Sequence, residues 1–283
     1  MRGEMTVRKY GVARNLLLLP VILLLGGLLP RLERLAIPAA ELIDPIWAEH
    51  DDSNELTVDH RAWDRFLKKY LETDAAGLNR VAYARISPAD RAMLDAYLRR
   101  LARVPVPKLA RQEQLAFWIN LYNAETVALV LDHYPVSSIR DIKFKPFAFG
   151  PWSELLLETT GRKLSLNDIE DGIIRPIWRD PRTHYLLNCA ALGCPDLGKT
   201  AYTGAHLEAS MEHAARDYVN DPRGVRFDGH GRLIISKIYF GTRKISAARP
   251  RRCSGTYSAT PIRHWLPACR GANALMITPT TGR

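Results

Sequence analysis

The sequence is short of cysteine, has no apolar run long enough to cross a bilayer comfortably, and carries no acid after Phe240. Four cysteines occur in 283 residues. None has the paired spacing of a zinc site, which argues against a structural metal and leaves no expected cofactor. The apolar run Leu16–Leu29 is about 14 residues long, against the ~20 that a spanning helix needs. No cysteine follows it, which argues against a bacterial lipoprotein. There is no internal repeat, so solenoid architectures are set aside.

Forty Lys and Arg against thirty Asp and Glu give a net charge of +10. That invites a nucleic-acid reading, but the charge is unevenly placed. Residues 1–35 carry +4 and residues 241–283 carry +8, and taking both from +10 leaves −2 for residues 36–240. The body is mildly acidic, so nucleic acid is not an expected partner. Arg2, Arg8, Lys9 and Arg14 precede the apolar run, the pattern of a secretory signal with Ala39–Ala40 as cleavage candidates. Arg31, Glu33 and Arg34 lie between the run and that site and keep an uncleaved N-terminal anchor open. Residues 1–40 are thus a signal peptide or an anchor holding the chain to a membrane through residues 16–29. The body is expected to be exported, periplasmic or inner-membrane-anchored, where disulfides are chemically allowed.

What is abundant is apolar helix. Arg111–Tyr134, RQEQLAFWINLYNAETVALVLDHY, is apolar nearly all round and should end near Pro135. Glu113, Asn120 and Asn123 break the pattern and fall within roughly 80° of one another on a helical wheel. Such a stripe is either a satisfied polar network in the core or one wall of a site. Trp63, Phe66, Leu67, Tyr70 and Leu71 have the spacing of an amphipathic helix, and Ser87–Pro88–Ala89–Asp90 starts another that runs to about Val104. Leu155–Glu158 and Arg162–Leu164 read as strands around Gly161, and Ser165 with Asp168 caps a helix through Arg175. Thr183–Asn188 reads as a buried strand running into a loop closed by Pro195. Thr203 should cap a helix through Tyr218, and Val225–Phe227 with Leu233–Ser236 should form a hairpin. The class is α+β: a mostly helical domain over residues 41–240 with a small antiparallel sheet.

After Phe240 the texture changes to a basic stretch rich in Arg, Ala, Pro and Ser with no apolar period. Back-translated with GC-rich codons and read in a shifted frame, it yields acidic, aromatic, domain-like segments. Residues 241–283 are therefore read as an out-of-frame tail, and Cys253, Cys269 and His264 are excluded from the chemistry.

Four motifs resemble the domain-of-unknown-function family 547, found in bacterial exported proteins and in plants. They are EQLAFWINLYNAETVALV (Glu113–Val130), LSLNDIEDGIIR (Leu164–Arg175), HYLLNCAALGCPDL (His184–Leu197) and ISKIY (Ile235–Tyr239). The family pattern continues with an acidic aromatic segment and a Tyr-Asp-Trp ending, which the shifted frame supplies. The resemblance implies kinship with papain-like or transglutaminase-like thiol enzymes.

A thiol enzyme needs a stabilised thiolate, a base and a group orienting that base. Cys189 sits where the expected strand runs out and is the candidate nucleophile. His184 is the first candidate base, although a regular strand would point it to the opposite face. His133 is an alternative, while His206 and His213 read as surface residues. Glu113 would orient the imidazole, and Asn120 or Asn123 would steady an oxyanion. For the cysteines, inert packing and a Cys189–Cys194 disulfide stay open beside catalysis. Asp168, Glu170 and Asp171 are explained by the helix dipole better than by metal binding. The expected activity is a thiol-dependent hydrolase or acyltransferase acting on an unknown small molecule or peptide. The alternative is a non-enzymatic, envelope-side binding or scaffold module with structural cysteines.

Overall fold

Trp63, Phe66, Leu67 and Tyr70 form one buried face of helix α1, Arg61–Tyr70, because residues three and four apart share a side of a helix. The computed structural model describes residues 40–239, apart from Phe147, Gly231 and Lys237, together with Met276–Thr278. The leader and nearly all of the basic tail lie outside the described residues, and so do the readings placed on them. Leu71 does not prolong α1. It opens strand β1, Leu71–Thr73, which pairs antiparallel with β2, Asn79–Val81. Helix α2, Pro88–Leu101, starts as expected: the Ser87 hydroxyl accepts from the Asp90 amide and Pro88 occupies the first turn, where no amide is needed.

Helix α3, Arg111–Asp132, is the centre of the domain. Leu115, Phe117, Trp118, Ile119 and Tyr122 are all buried along it. Each large apolar side chain taken from water contributes roughly 1.5–3 kcal/mol, so α3 organises what packs around it. Trp47, carried by the short 3-10 turn Pro45–Ala48, meets Trp118 edge-on at 5.2 Å between centroids. Arg91 of α2 donates to Ala128 O of α3 at 3.2 Å, which fastens those two helices.

Beyond α3, strands β3, Leu157–Thr159, and β4, Arg162–Leu164, make an antiparallel hairpin around Gly161, whose φ of +70° suits glycine. A capping box between Ser165 and Asp168 opens α4, Leu166–Ile169. The rod continues through a π-turn, Glu170–Ile174, into α5, Arg175–Trp178. The chain then departs from expectation. The stretch read as a buried strand, Thr183–Asn188, opens within the 3-10 helix Pro181–Leu186. Asp180 caps this turn by accepting from the Arg182 amide at 2.9 Å, and Pro181 presets its φ. His184 therefore sits on a helical turn, and the objection that strand alternation would turn it from Cys189 falls away.

Helix α6, Leu207–Asn220, follows a 3-10 turn, Gly204–His206, and Thr203 makes no side-chain cap. Strands β5, Val225–Phe227, and β6, Leu233–Ser236, form the expected hairpin. The third strand of that sheet, β7, Met276–Thr278, runs parallel to β6, so this sheet is mixed. The class is α+β, about half helical with small sheets.

Candidate functional site

The polar stripe of α3 is spent on backbone. Glu113 Oε1 accepts from Val58 N at 2.8 Å and Oε2 from Gly204 N at 3.1 Å. A Cβ at Gly204 would lie 2.9 Å from Glu113 N, so only glycine lets the chain run so close to α3. Asn120 Nδ2 donates to Tyr202 O at 2.8 Å and Oδ1 accepts from Tyr202 N at 3.0 Å. Asn123 Nδ2 donates to Leu186 O at 2.8 Å and Oδ1 accepts from Asn188 N at 2.9 Å. The three side chains thus fasten the segment 186–204 to the helix. None of them touches His184, so Glu113 does not orient the imidazole. Both N–H groups of the Asn120 amide are taken, by Ala116 O and Tyr202 O, while Asn123 Nδ2 gives one to Leu186 O.

That segment holds both body cysteines. Cys189 and Cys194 are joined in a disulfide across a sequence separation of 5. Asn188 shapes the loop: Oδ1 accepts from Ala190 N at 3.0 Å, Nδ2 donates to Pro195 O at 2.8 Å, and Ala190 takes φ +57°. From outside, Tyr218 OH donates to Gly193 O at 2.5 Å, and Arg223 Nη1 reaches Asp196 at 2.9 Å and Cys194 O at 3.4 Å. Reduction is expected to cost about 2 kcal/mol by loop entropy for so short a loop. Unfolding curves with and without reductant measure it, and superimposed curves would mean the hydrogen bonds alone hold the loop.

The carboxylate beside His184, which the sequence reading missed, is Glu170. His184 Nδ1 lies 2.6 Å from Glu170 Oε1, in an ion-pair contact set off the line of an ideal hydrogen bond. Tyr122 OH donates to Glu170 Oε2 at 3.2 Å. Burial pushes Glu170 up, but His184 and Arg175 outweigh it and hold the carboxyl below its ordinary value. Its neighbour Asp171 pairs with Arg175 yet is pushed up to about 6, by burial first and then by the charge of Glu170. Asp168 is the N3 residue of the capping box, whereas Glu170 and Asp171 are paired with His184 and Arg175. The signal in the sequence was three acids where a capping box needs one. Tyr122 is buried on α3 and spends its hydroxyl on this carboxylate. The other named histidines differ. His133 Nδ1 bonds to Leu129 O at 2.9 Å at the end of α3, and His206 and His213 are exposed.

A cleft of about 510 Å³ is lined in part by Tyr185, Pro195, Asp196, Lys199, Tyr202 and Arg223. Cys189 and His184 do not line it. Through Tyr202, the Asn120 clamp also sets one wall of this cleft.

An α+β domain built on a buried helix, with a disulfide loop and a carboxylate–imidazole pair, is the class that fold and site define. Residues 106–219 match the family model described as "Protein of unknown function, DUF547". Over those residues the chain is similar to this family, and three of the four motifs lie within the matched residues, while Ile235–Tyr239 lies beyond them. No curated protein and no solved structure matches.

Proposed function

We propose that the domain is a thiol-dependent hydrolase or acyltransferase acting on an amide, peptide or small thiol compound. Cys189 is the nucleophile, His184 its base, and Glu170, in place of Glu113, the residue that positions His184. One observation carries the reading. A buried carboxylate, its far oxygen held by Tyr122, lies 2.6 Å from Nδ1 of His184. In this reading Nε2 takes the proton, on a partly exposed ring five residues before Cys189. Asn120 and Asn123 serve the site by holding the backbone that carries it. Kinship with papain-like and transglutaminase-like enzymes belongs to this proposal.

The disulfide makes reduction the first step. An external dithiol supplies two electrons and two protons, the S–S bond breaks, and Cys189 and Cys194 become thiols. The Cys189 proton passes to His184 Nε2, and the thiolate attacks the substrate carbonyl carbon. The leaving group departs with that proton, and water or an acceptor nucleophile then releases the acyl group.

A second reading has its own support. The cleft that takes neither Cys189 nor His184 into its lining suits a non-enzymatic binding or scaffold module in which the disulfide only shapes a wall.

Alkylation rate against pH separates the two readings. It is followed by mass spectrometry of the Cys189 peptide in the reduced chain. An unperturbed thiol titrates near about 8.5. For the enzyme, Cys189 alkylation should persist well below that pH and be lost in His184→Ala. Glu170→Gln should move the inflection upward without removing it, as a positioning residue requires. An ordinary thiol profile, identical in all three chains, would leave the binding module standing.

A further inference from the structure

The loop that Cys189 and Cys194 close is held largely without its bridge. A disulfide stabilises by the chain entropy it removes, and that falls as the closed loop shortens. Here the sequence separation is only 5. Hydrogen bonds in which sulfur has no part hold the same backbone. Asn123 Oδ1 accepts from Asn188 N at 2.9 Å, Asn188 Nδ2 donates to Pro195 O at 2.8 Å, and Cys194 N donates to Ala191 O at 2.9 Å. Tyr218 OH donates to Gly193 O at 2.5 Å. Both ends and the middle of the loop keep these partners when the S–S bond opens, so the two thiols stay within reach of one another.

The two sulfurs also differ in access. Cys189 is partly exposed, whereas Cys194 is 7% exposed. An external thiolate therefore meets Cys189 first, and Cys194 is the sulfur that departs and returns. Exposed bridges are the ones that exchange, while a bridge kept only for structure gains from having both sulfurs covered.

We propose that the Cys189–Cys194 pair is redox-active and exchanges with an external dithiol. This second activity uses no carbonyl substrate and does not rest on the hydrolase reading. A thiolate of the dithiol attacks Cys189 Sγ, the S–S bond breaks, and Cys194 leaves as a thiolate that takes a proton from water. The second thiol of the substrate gives its proton to water and attacks its own sulfur in the mixed disulfide, which releases Cys189. The substrate loses two electrons and two protons and becomes a disulfide, and the pair gains both and becomes two thiols. In the return step the Cys189 thiolate attacks an external disulfide and releases one thiol. Cys194 then attacks Cys189 Sγ, which closes the bridge and releases the second.

Turnover is read on the full chain carrying Cys253→Ser and Cys269→Ser, with dithiothreitol as the dithiol and oxidised glutathione as the disulfide. The chain should catalyse their exchange in proportion to its concentration, and Cys189→Ala should abolish the catalysis. With external thiol at about 0.1 mM, a neighbouring thiol at an effective concentration of about a millimolar resolves a mixed disulfide roughly tenfold faster. By mass spectrometry, glutathione on Cys189 should therefore be lost from the chain with Cys194 at least about tenfold faster than from Cys194→Ser. Equal rates would remove Cys194 from the exchange and overturn the proposal. A bridge that dithiothreitol opens only in urea, or a chain that adds nothing to the uncatalysed rate, overturns it with no loop variant needed. The hydrolase reading falls on a different readout, the pH profile of Cys189 alkylation, so either activity can fail while the other stands.

Discussion

Replacing Asn123 by alanine is expected to lower the unfolding free energy by about 3–5 kcal/mol. Asn123 is 1% exposed and bonds at both ends of its amide. Truncation strands the carbonyl of Leu186 and the amide of Asn188, each at 2.8–2.9 Å from the group removed. A buried polar group left without a partner costs about 1–3 kcal/mol, and a small cavity adds to two of them. Against a total stability of about 5–15 kcal/mol that is a large fraction. The same substitution separates the clamp from the oxyanion role first considered for this residue. An oxyanion donor would lose activity at unchanged stability. A clamp loses stability first, and the loop that begins at Asn188 loosens with it. Urea denaturation reads the first effect, and exchange of the Asn188 amide reads the second. A wild-type midpoint in Asn123→Ala would remove the clamp from the account of this fold.

Much of the frame was legible because its signals are local. The apolar character of α3, the Ser87–Pro88–Asp90 start of α2, the Ser165–Asp168 capping box and the β5–β6 turn each lie within a few residues of what they specify. The disulfide was open as an alternative, since spacing allows a bridge but does not require one. The site was less legible. Tyr185–Leu187 is an apolar run too short for periodicity to separate strand from helix, and Asp180–Pro181 ahead of it decided for a 3-10 turn. That turn carries His184 to Glu170, which stands fourteen residues earlier on a π-turn. A π-turn adds a residue to the helical cycle, so a wheel drawn at 3.6 residues per turn misplaces what it carries. Glu113 was misassigned for a related reason. A polar stripe on a buried helix says that partners exist, and only tertiary structure says that they are the amides of Val58 and Gly204.

Glu125→Gln is expected to stabilise the domain by about 2–3 kcal/mol at pH 8 and to change little at pH 4.5, the reverse of the usual result for a polar substitution in a helix. Glu125 lies on α3, mostly buried, beside Asp132 of the same helix and Asp95 and Arg91 of α2. Arg91 is already committed, at 2.9 Å to Asp95 and 2.7 Å to Asp132. Burial first, and the charge of Asp132 after it, push Glu125 up from 4.5 to about 7. In the unfolded chain the carboxyl ionises near 4.5, while in the folded chain it keeps its proton to about 7. Its contribution to stability is therefore complete below the unfolded value and is lost as pH rises through the folded one. Glutamine keeps the shape of the protonated form and cannot ionise, so the variant retains at pH 8 what the wild type has lost. One pKa unit is worth about 1.4 kcal/mol, which with some allowance for partial exposure gives the range stated. Asp171, pushed up to about 6, adds a pH dependence of its own, but both chains share it and it cancels in the difference. Thermal or urea unfolding of the two chains at both pH values is sufficient. A variant less stable than wild type at pH 8 would show that Glu125 is ionised and paired in the folded domain.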